Sequence, residues 1–173
     1  MRSARHALFL AALAALGFLA GGAAALAAPV DVDTANPKRW SDLGSSPAEE
    51  QRNLKTLSGY LQRAGARYLA PGQTLHVTLV DVDMAGEPVP SRLRAGEDLR
   101  VARGGADWPS ITLRWRLSGA DGRVVSSGEQ VLSDMNYLRR VPNVRDNDPL
   151  RYEKRLLDDW LKARFGPSRH AGG

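Results

Sequence analysis

The acidic side chains best placed for chemistry lie at the end of one predicted strand. Asp81 and Asp83 are two residues apart, so an extended chain projects both carboxylates to the same side. Such a pair could bind a cation or act as a general acid and base. Asp107, beside Trp108, could join the pair if its loop folds over the sheet edge. The alternative is that the aspartates form local hydrogen bonds in the following turn, as Asp commonly does.

A second polar group follows the predicted hairpin, where Asp134, Asn136 and Tyr137 precede two arginines. Exposed Asn and Tyr side chains in a connecting segment could bind a small polar ligand or a peptide. The alternative is that Asp134 and Asn136 tie this segment to the hairpin through local hydrogen bonds. The residues predicted to bind a ligand or partner are therefore Asp81, Asp83, Asp107, Trp108, Asp134, Asn136 and Tyr137.

Other kinds of site find little support in the residue types. The chain has no Cys and three His; His6 lies in the N-terminal segment and His170 near the C-terminus, so His76 alone could serve a folded site. A histidine-based zinc site needs several imidazole or thiolate ligands. Motifs for a hydrolase nucleophile, a phosphate loop or a dinucleotide site are absent. We therefore predict no catalytic residue, no metal and no cofactor.

The first 27 residues have the features of a secretory signal peptide. Arg2 and Arg5 form a basic start, residues 7–26 are largely apolar, and residues 25–27 offer an A-x-A cleavage site. An uncleaved membrane anchor is the alternative, because the apolar run is about long enough to cross a bilayer. We predict cleavage, which confines membrane contact to this segment before its removal. Without Cys, the exported domain can form no disulfide and depends on core packing.

The charge pattern argues against a nucleic-acid partner. The formal net charge is +5, and it falls to +3 when Arg2 and Arg5 are removed with the signal segment. The arginines are scattered among acidic residues, whereas a nucleic-acid binder usually presents a dense basic stripe with interleaved aromatics. A solvated surface is therefore the preferred interpretation of these charges.

Alternating hydrophobicity predicts a hairpin in the second half of the chain. Residues 111–118 alternate apolar and polar side chains, and residues 124–132 are again typical of a strand. Asp121-Gly122 between them is a turn dipeptide, so the two segments should pair antiparallel. Further strands are predicted near Val30, over residues 75–83 and over residues 98–103, whereas residues 87–96 are predicted to be a crossing loop.

Two helices are predicted from their start and stop signals. Ser46-Pro47-Ala48-Glu49 supplies a capping Ser, a first-turn Pro and a capping-box Glu, and Gly65 should end that helix. Asp148-Pro149 predicts the start of the final helix, which carries Trp160 on its inward face and ends at Gly166-Pro167. Ser133 is predicted to cap a short helical turn between the hairpin and this helix.

This order of elements predicts an α+β fold. We expect an antiparallel sheet of about four to five strands with two helices packed on one face. The domain should span residues 28–167, with a disordered tail at residues 168–173. About 146 residues remain after removal of the signal segment, which is enough for one domain with a real core.

Four stretches together resemble a known family. PGQTLHVTLVDVDMAG, DLRVARGGADWPSITLRWRL, LSDMNYL and DPLRYEKRLLDDW are similar to domain-of-unknown-function family 3016, a group of exported bacterial proteins, and the likeness covers residues 30–165. The resemblance implies a Gram-negative source and a periplasmic address, but no activity and no catalytic residues. At the family's early Pro-x-x-Phe-Thr-Asp stretch this chain has Trp40 and Ser41, which keeps an aromatic residue there.

Two functions follow from these observations. The leading hypothesis is a non-enzymatic periplasmic domain that binds another component of the cell envelope, either a protein or a polymer. The alternative is a cation-dependent or carboxylate-based enzyme that uses Asp81, Asp83 and Asp107 on an envelope component. The oligomeric state is left open by the sequence.

Overall fold

Six strands and two helices make up the part of the chain that the computed structural model describes, residues 29–35, 40–90, 98–139 and 148–167. The predicted signal segment and the predicted tail lie outside these residues. In chain order the elements are β1 (Val30–Thr34), α1 (Pro47–Gly65), a 3₁₀ turn (Ala66–Tyr68), β2 (Thr74–Asp83), β3 (Glu87–Pro90), β4 (Asp98–Val101), β5 (Ser110–Ser118), β6 (Val124–Ser133) and α2 (Arg151–Phe165).

The main sheet has the strand order β1-β2-β5-β6 and is mixed. β2 pairs antiparallel with β5, and β5 with β6 in the predicted hairpin. β1 instead pairs parallel with β2, because α1 lies between them in the chain and provides the crossover that parallel pairing needs. The α+β class is therefore confirmed, whereas the expectation of a purely antiparallel sheet is wrong.

A second, two-stranded sheet forms where a crossing loop was expected. β3 pairs antiparallel with β4, with Pro88 opposite Arg100. β3 was not predicted as a strand because it contains two prolines, and Pro cannot donate a backbone hydrogen bond to a sheet. A short edge pairing tolerates them.

The N-terminal cap of α1 forms nearly as predicted. The Ser46 hydroxyl accepts a hydrogen bond from the backbone N–H of Glu49 at 3.3 Å. The Glu49 carboxylate accepts one from the backbone N–H of Ser45 at 2.9 Å, one residue before the partner expected in a capping box. α1 ends at Gly65, as the sequence predicted.

α2 begins two residues later than predicted, at Arg151 and not at Pro149. The Asp148 carboxylate accepts a hydrogen bond from the backbone N–H of Leu150 at 2.9 Å, and the Asp148 carbonyl accepts one from that of Arg151 at 3.2 Å. These bonds close a turn before the first helical residue, Arg151. The Asp-Pro pair therefore precedes the helix and does not start it.

One hydrophobic core joins both helices to alternate residues of the sheet. Leu57 and Leu61 of α1 and Leu157 and Trp160 of α2 belong to the same buried cluster as the inward side chains of β2 and β5. Trp160 is 4% exposed, which confirms its predicted inward position. Both helices contribute buried side chains to this core, so the expected packing of two helices on one face of an antiparallel sheet is confirmed in part, for a sheet that is mixed. Within the described residues, no helix is long and apolar enough to cross a membrane.

Candidate functional site

An irregularity in β2 sets the positions of the predicted carboxylates. The register with β5 shifts between Leu79 and Asp81, which leaves Val80 as an extra residue. After the shift, Val82 is fully buried, and the neighbouring Asp81 and Asp83 are partly buried and exposed, respectively. Both aspartates therefore project from the side of β2 that faces away from the core.

The Asp81 carboxylate is held by the segment before α1. It accepts hydrogen bonds from the Ser41 backbone N–H at 2.8 Å and from the Ser41 hydroxyl at 2.5 Å. Burial raises the pKa of Asp83, and the negative charges of Asp42 and Asp81 add to this rise. The acidic group at this end of β2 thus includes Asp42, which no pattern in the sequence had indicated.

Asp42 forms the best-defined ion pair of this region. The Arg100 guanidinium donates to its two carboxylate oxygens at 2.7 and 2.9 Å and to the backbone carbonyl of Gly86 at 2.6 Å. The Arg100 and Asp42 side chains are only 17% and 24% exposed. A two-pronged bond of this kind fixes geometry as well as adding energy, so the pair fastens the small sheet to the chain before α1.

Asp107 lies in a different environment from Asp81 and Asp83. Its carboxylate accepts a hydrogen bond from the Arg103 backbone N–H at 2.7 Å, and this bond, with the hydroxyl bond from Tyr137, lowers the pKa of Asp107. Burial and the Asp107 bond raise the pKa of Tyr137 to about 12. The Asp107 carboxylate is therefore engaged with its own loop and with Tyr137.

Tyr137 is buried, so the prediction of an exposed tyrosine is wrong. Its side chain is 1% exposed and packs edge-to-face on Tyr152 of α2, with ring centroids 4.8 Å apart. Ala85 is also buried in this small cluster, and the half-buried Trp108 packs against it. Sequence periodicity could not indicate this burial, because a loop residue and a helix residue form the contact.

Asp134 and Asn136 form a local turn. The Asp134 carboxylate accepts a hydrogen bond from the Asn136 backbone N–H at 3.0 Å, and the Asp134 carbonyl accepts one from that of Tyr137 at 3.2 Å. The cap of this turn is therefore Asp134, and the predicted Ser133 cap is wrong. Such side-chain bonds are what Asp commonly forms in turns, and a binding role for these two residues stays a prediction.

The predicted acids do not assemble into a metal-type ligand group within the described ranges. Where the structure describes the chain, the group of three possible ligands is Asp31, Asp33 and His76, on a different part of the main sheet.

Glu153 of α2 is a buried carboxylate that the sequence analysis missed. It is fully buried, and its Oε1 atom accepts a hydrogen bond from the Ala85 backbone N–H at 2.8 Å. Oε2 has no partner among the described residues. Burial raises the pKa of Glu153. Its position in the sequence could have indicated this burial, because Glu153 lies three and four residues before Leu156 and Leu157 and so shares their face of α2.

The outer edge of β6 is an open, partly apolar surface that a partner could use. β6 is the last strand of the main sheet, and Val124, Val125 and Val131 are 56%, 61% and 64% exposed. An edge strand presents backbone N–H and C=O groups that its own sheet leaves unpaired. We refer to Val124–Ser133 in this role as the β6 edge.

A groove of about 320 Å³ runs between the β6 edge and α2. Residues 130–134 line one side, and Leu156, Trp160 and Ala163 line the other. The indole Nε1 of Trp160 is buried and has no hydrogen-bond partner within the described part of the chain. Buried polar groups usually have a partner, so this donor is unusual at the wall of a groove.

Comparisons with known proteins place the chain in a family but assign no activity. A family model described as "Protein of unknown function (DUF3016)" matches residues 28–163. No curated protein sequence matches. A crystal structure titled as "a putative lipoprotein from Caulobacter crescentus CB15" is similar at 13% identity, covering 79% of this chain and 84% of that chain, with a TM-score of 0.32. A likeness of that size carries no argument about this chain.

Proposed function

Because the chain belongs to the DUF3016 family of proteins of unknown function, we propose a function from its own geometry. The protein is a non-enzymatic interaction domain of the bacterial cell envelope, and it binds an extended segment of another envelope protein along the β6 edge. The observation that carries the proposal is a ten-residue edge strand with three exposed valines. Adding a strand to such an edge is a common mode of peptide recognition.

The two edge strands of the main sheet differ in length and in charge, and the difference favours strand addition at β6. At the opposite edge, β1 has five residues and includes exposed Asp31 and Asp33. Charged side chains and short length protect an edge from pairing with another chain. β6 has ten residues, twice as many as β1, and Glu129 is its one charged residue. The β6 edge is thus the one suited to accept a strand.

The β6–α2 groove gives an added strand somewhere to place its side chains. Successive side chains of a strand point to opposite faces, so every second residue of a strand on β6 would face α2. Leu156 and Trp160 would meet these side chains. The unpartnered Nε1 of Trp160 is a donor that a carbonyl or polar side chain of the bound segment could satisfy.

The proposed address is the periplasm, reached by way of a cleaved signal peptide at residues 1–27. The basic start, the apolar run and the A-x-A site support export. Mass spectrometry of the protein recovered from a periplasmic extract would test this address, with an N-terminus near Ala28 as the expected result.

The alternative of a cation-dependent or carboxylate-based enzyme built on Asp81, Asp83 and Asp107 has less support. Ser41 occupies both oxygens of the Asp81 carboxylate. The Arg103 backbone N–H donates to Oδ2 of Asp107, whereas Oδ1 of Asp107 is buried and has no hydrogen-bond partner among the described residues. Carboxylates held in this way fit structural roles.

A photo-crosslinking amino acid at position 131 tests the proposal in intact cells. Val131 lies in β6 and is exposed, whereas the buried Tyr137 is a poor position for such a probe. We expect position 131 to crosslink a polypeptide other than this chain. A synthetic peptide with the crosslinked sequence should then slow amide hydrogen exchange in β6, because pairing buries its unpaired N–H groups.

Leu99 supplies the matched control. It is 63% exposed but lies in β4, away from the main sheet. The variant Val131→Lys should abolish peptide binding, because a charged side chain blocks edge pairing, and Leu99→Lys should leave it unchanged. Equal loss in both variants, or crosslinks from position 131 to a second copy of this chain alone, would contradict the proposal.

A further inference from the structure

Three potential metal ligands meet on the wet face of the sheet, where β1 pairs with β2. The parallel register places Asp31 beside His76 and Asp33 beside Thr78. The Asp31 carboxylate lies 3.0 Å from His76 Nδ1, and the Asp33 carboxylate lies 3.9 Å from His76 Nε2. One ligand atom from each of the three residues can be chosen so that all lie within 4.8 Å of one another.

We propose that Asp31, Asp33 and His76 bind a divalent transition-metal ion, with Zn²⁺ as the probe. One imidazole nitrogen and one oxygen from each carboxylate would be the protein ligands, and water would complete the coordination. An open zinc site has three protein ligands and a free position, and both His nitrogen and Asp oxygen atoms are zinc ligands. The carboxylates supply the ligands that a count of His and Cys alone overlooked.

The spacing requires only small side-chain movements. Bonds from Zn²⁺ to nitrogen and oxygen ligands are about 2.0–2.2 Å long, so ligand atoms around one ion lie somewhat closer together than 4.8 Å. The Asp31 and Asp33 side chains are 69% and 68% exposed, which leaves them free to rotate. The backbone pairing holds the three residues in position without the ion.

The imidazole selects the class of metal. Mg²⁺ and Ca²⁺ prefer oxygen ligands, whereas imidazole suits zinc, copper and nickel. The nearby charges on this face are Arg114 and Arg116 of β5 and Glu129 of β6, which share an open concavity with His76. The arginines oppose a bound cation, so we expect a weaker site than a closed structural zinc site.

A competing explanation is that the aspartates only protect the β1 edge from strand pairing. In that case His76 would contribute nothing to binding. Titration of the purified protein, without a histidine tag, against Zn²⁺ in the presence of a chromogenic chelator separates the two explanations. We expect one bound Zn²⁺, a rise in melting temperature with Zn²⁺, and markedly weaker binding of Mg²⁺.

The variants His76→Asn and Asp33→Asn should each raise the Zn²⁺ dissociation constant at least about tenfold, as loss of a supporting group commonly does. Both side chains face away from the core, so the fold should persist, and circular dichroism checks this. His170→Ala is the matched control, because it removes a histidine outside the described residues and should leave the dissociation constant unchanged. Binding that survives His76→Asn, or that disappears in His170→Ala, overturns the proposal, as does the absence of Zn²⁺ binding.

Discussion

Truncation of Trp160 is the sharpest test of the core. The indole is 4% exposed and packs edge-to-face on Phe165, with ring centroids 5.5 Å apart. Trp160→Ala removes this contact and leaves a cavity, for which the usual cost is roughly 3–5 kcal/mol of the free energy of unfolding. We expect the lower end, about 3 kcal/mol, because the site borders the open β6–α2 groove and neighbouring side chains or water can fill part of the space.

The loss should be visible as a change in melting temperature. For a domain of this size, about 1 kcal/mol corresponds to roughly 2–4 °C, so Trp160→Ala should melt about 6–12 °C below the wild type. Differential scanning calorimetry and urea unfolding give the two measurements. The chain has no Cys and can form no disulfide, so the packing of α2 on the sheet is held by non-covalent contacts alone.

Lys162→Ala is the matched control in the same helix, since Lys162 is exposed and surface substitutions usually change stability by less than about 0.5 kcal/mol. Trp160→Phe adds a second comparison, because it keeps an aromatic ring beside Phe165 and removes the unpartnered Nε1. It should cost less than Trp160→Ala. If Trp160→Ala and Lys162→Ala melted within about a degree of each other, Trp160 would not be part of the core and the assigned packing of α2 would be wrong.

Two further predictions concern buried charge. The folded pKa of Glu153 is raised by burial, so the folded state retains a proton that the unfolded state has lost, and stability should fall as pH rises from the unfolded value of about 4.3 to the folded value. Glu153→Gln keeps an acceptor for the Ala85 N–H and should remove this fall, as urea unfolding at pH 5 and pH 8 can show; an unchanged pH dependence would refute the assignment. Asp42→Ala should destabilise by roughly 1–3 kcal/mol, because it leaves the mostly buried Arg100 without its carboxylate partner. Asp121→Ala, which breaks an exposed pair with Arg123, should cost less than about 1 kcal/mol, and equal melting of the two variants would contradict a structural role for the Asp42 pair.

The sequence by itself determined the elements that depend on local signals. The hairpin of β5 and β6, the Ser46 cap of α1 and the stop at Gly65 follow from residues within a few positions of one another. The inward position of Trp160 follows from helical periodicity in the same way. Local hydrogen bonds and side-chain periodicity act over one or two turns, so a single sequence is enough to find them.

Tertiary structure decided whatever depends on which distant segments meet. The parallel pairing of β1 with β2 places Asp31 beside His76, and no local pattern indicates that contact. Likewise, an edge is a property of the whole sheet: the valines of β6 look like ordinary strand residues until the strand order leaves them at the end.

Tertiary structure also decided which side chains outside the helices and strands are buried. Tyr137 was predicted to be exposed because it lies in a connecting segment, yet it is buried because Tyr152 of α2 packs against its ring. Asp81 and Asp107 were grouped by residue type, but hydrogen bonds to Ser41 and Arg103 place them in separate environments. Residue type and spacing identify which groups can do chemistry, whereas long-range packing determines which of them meet.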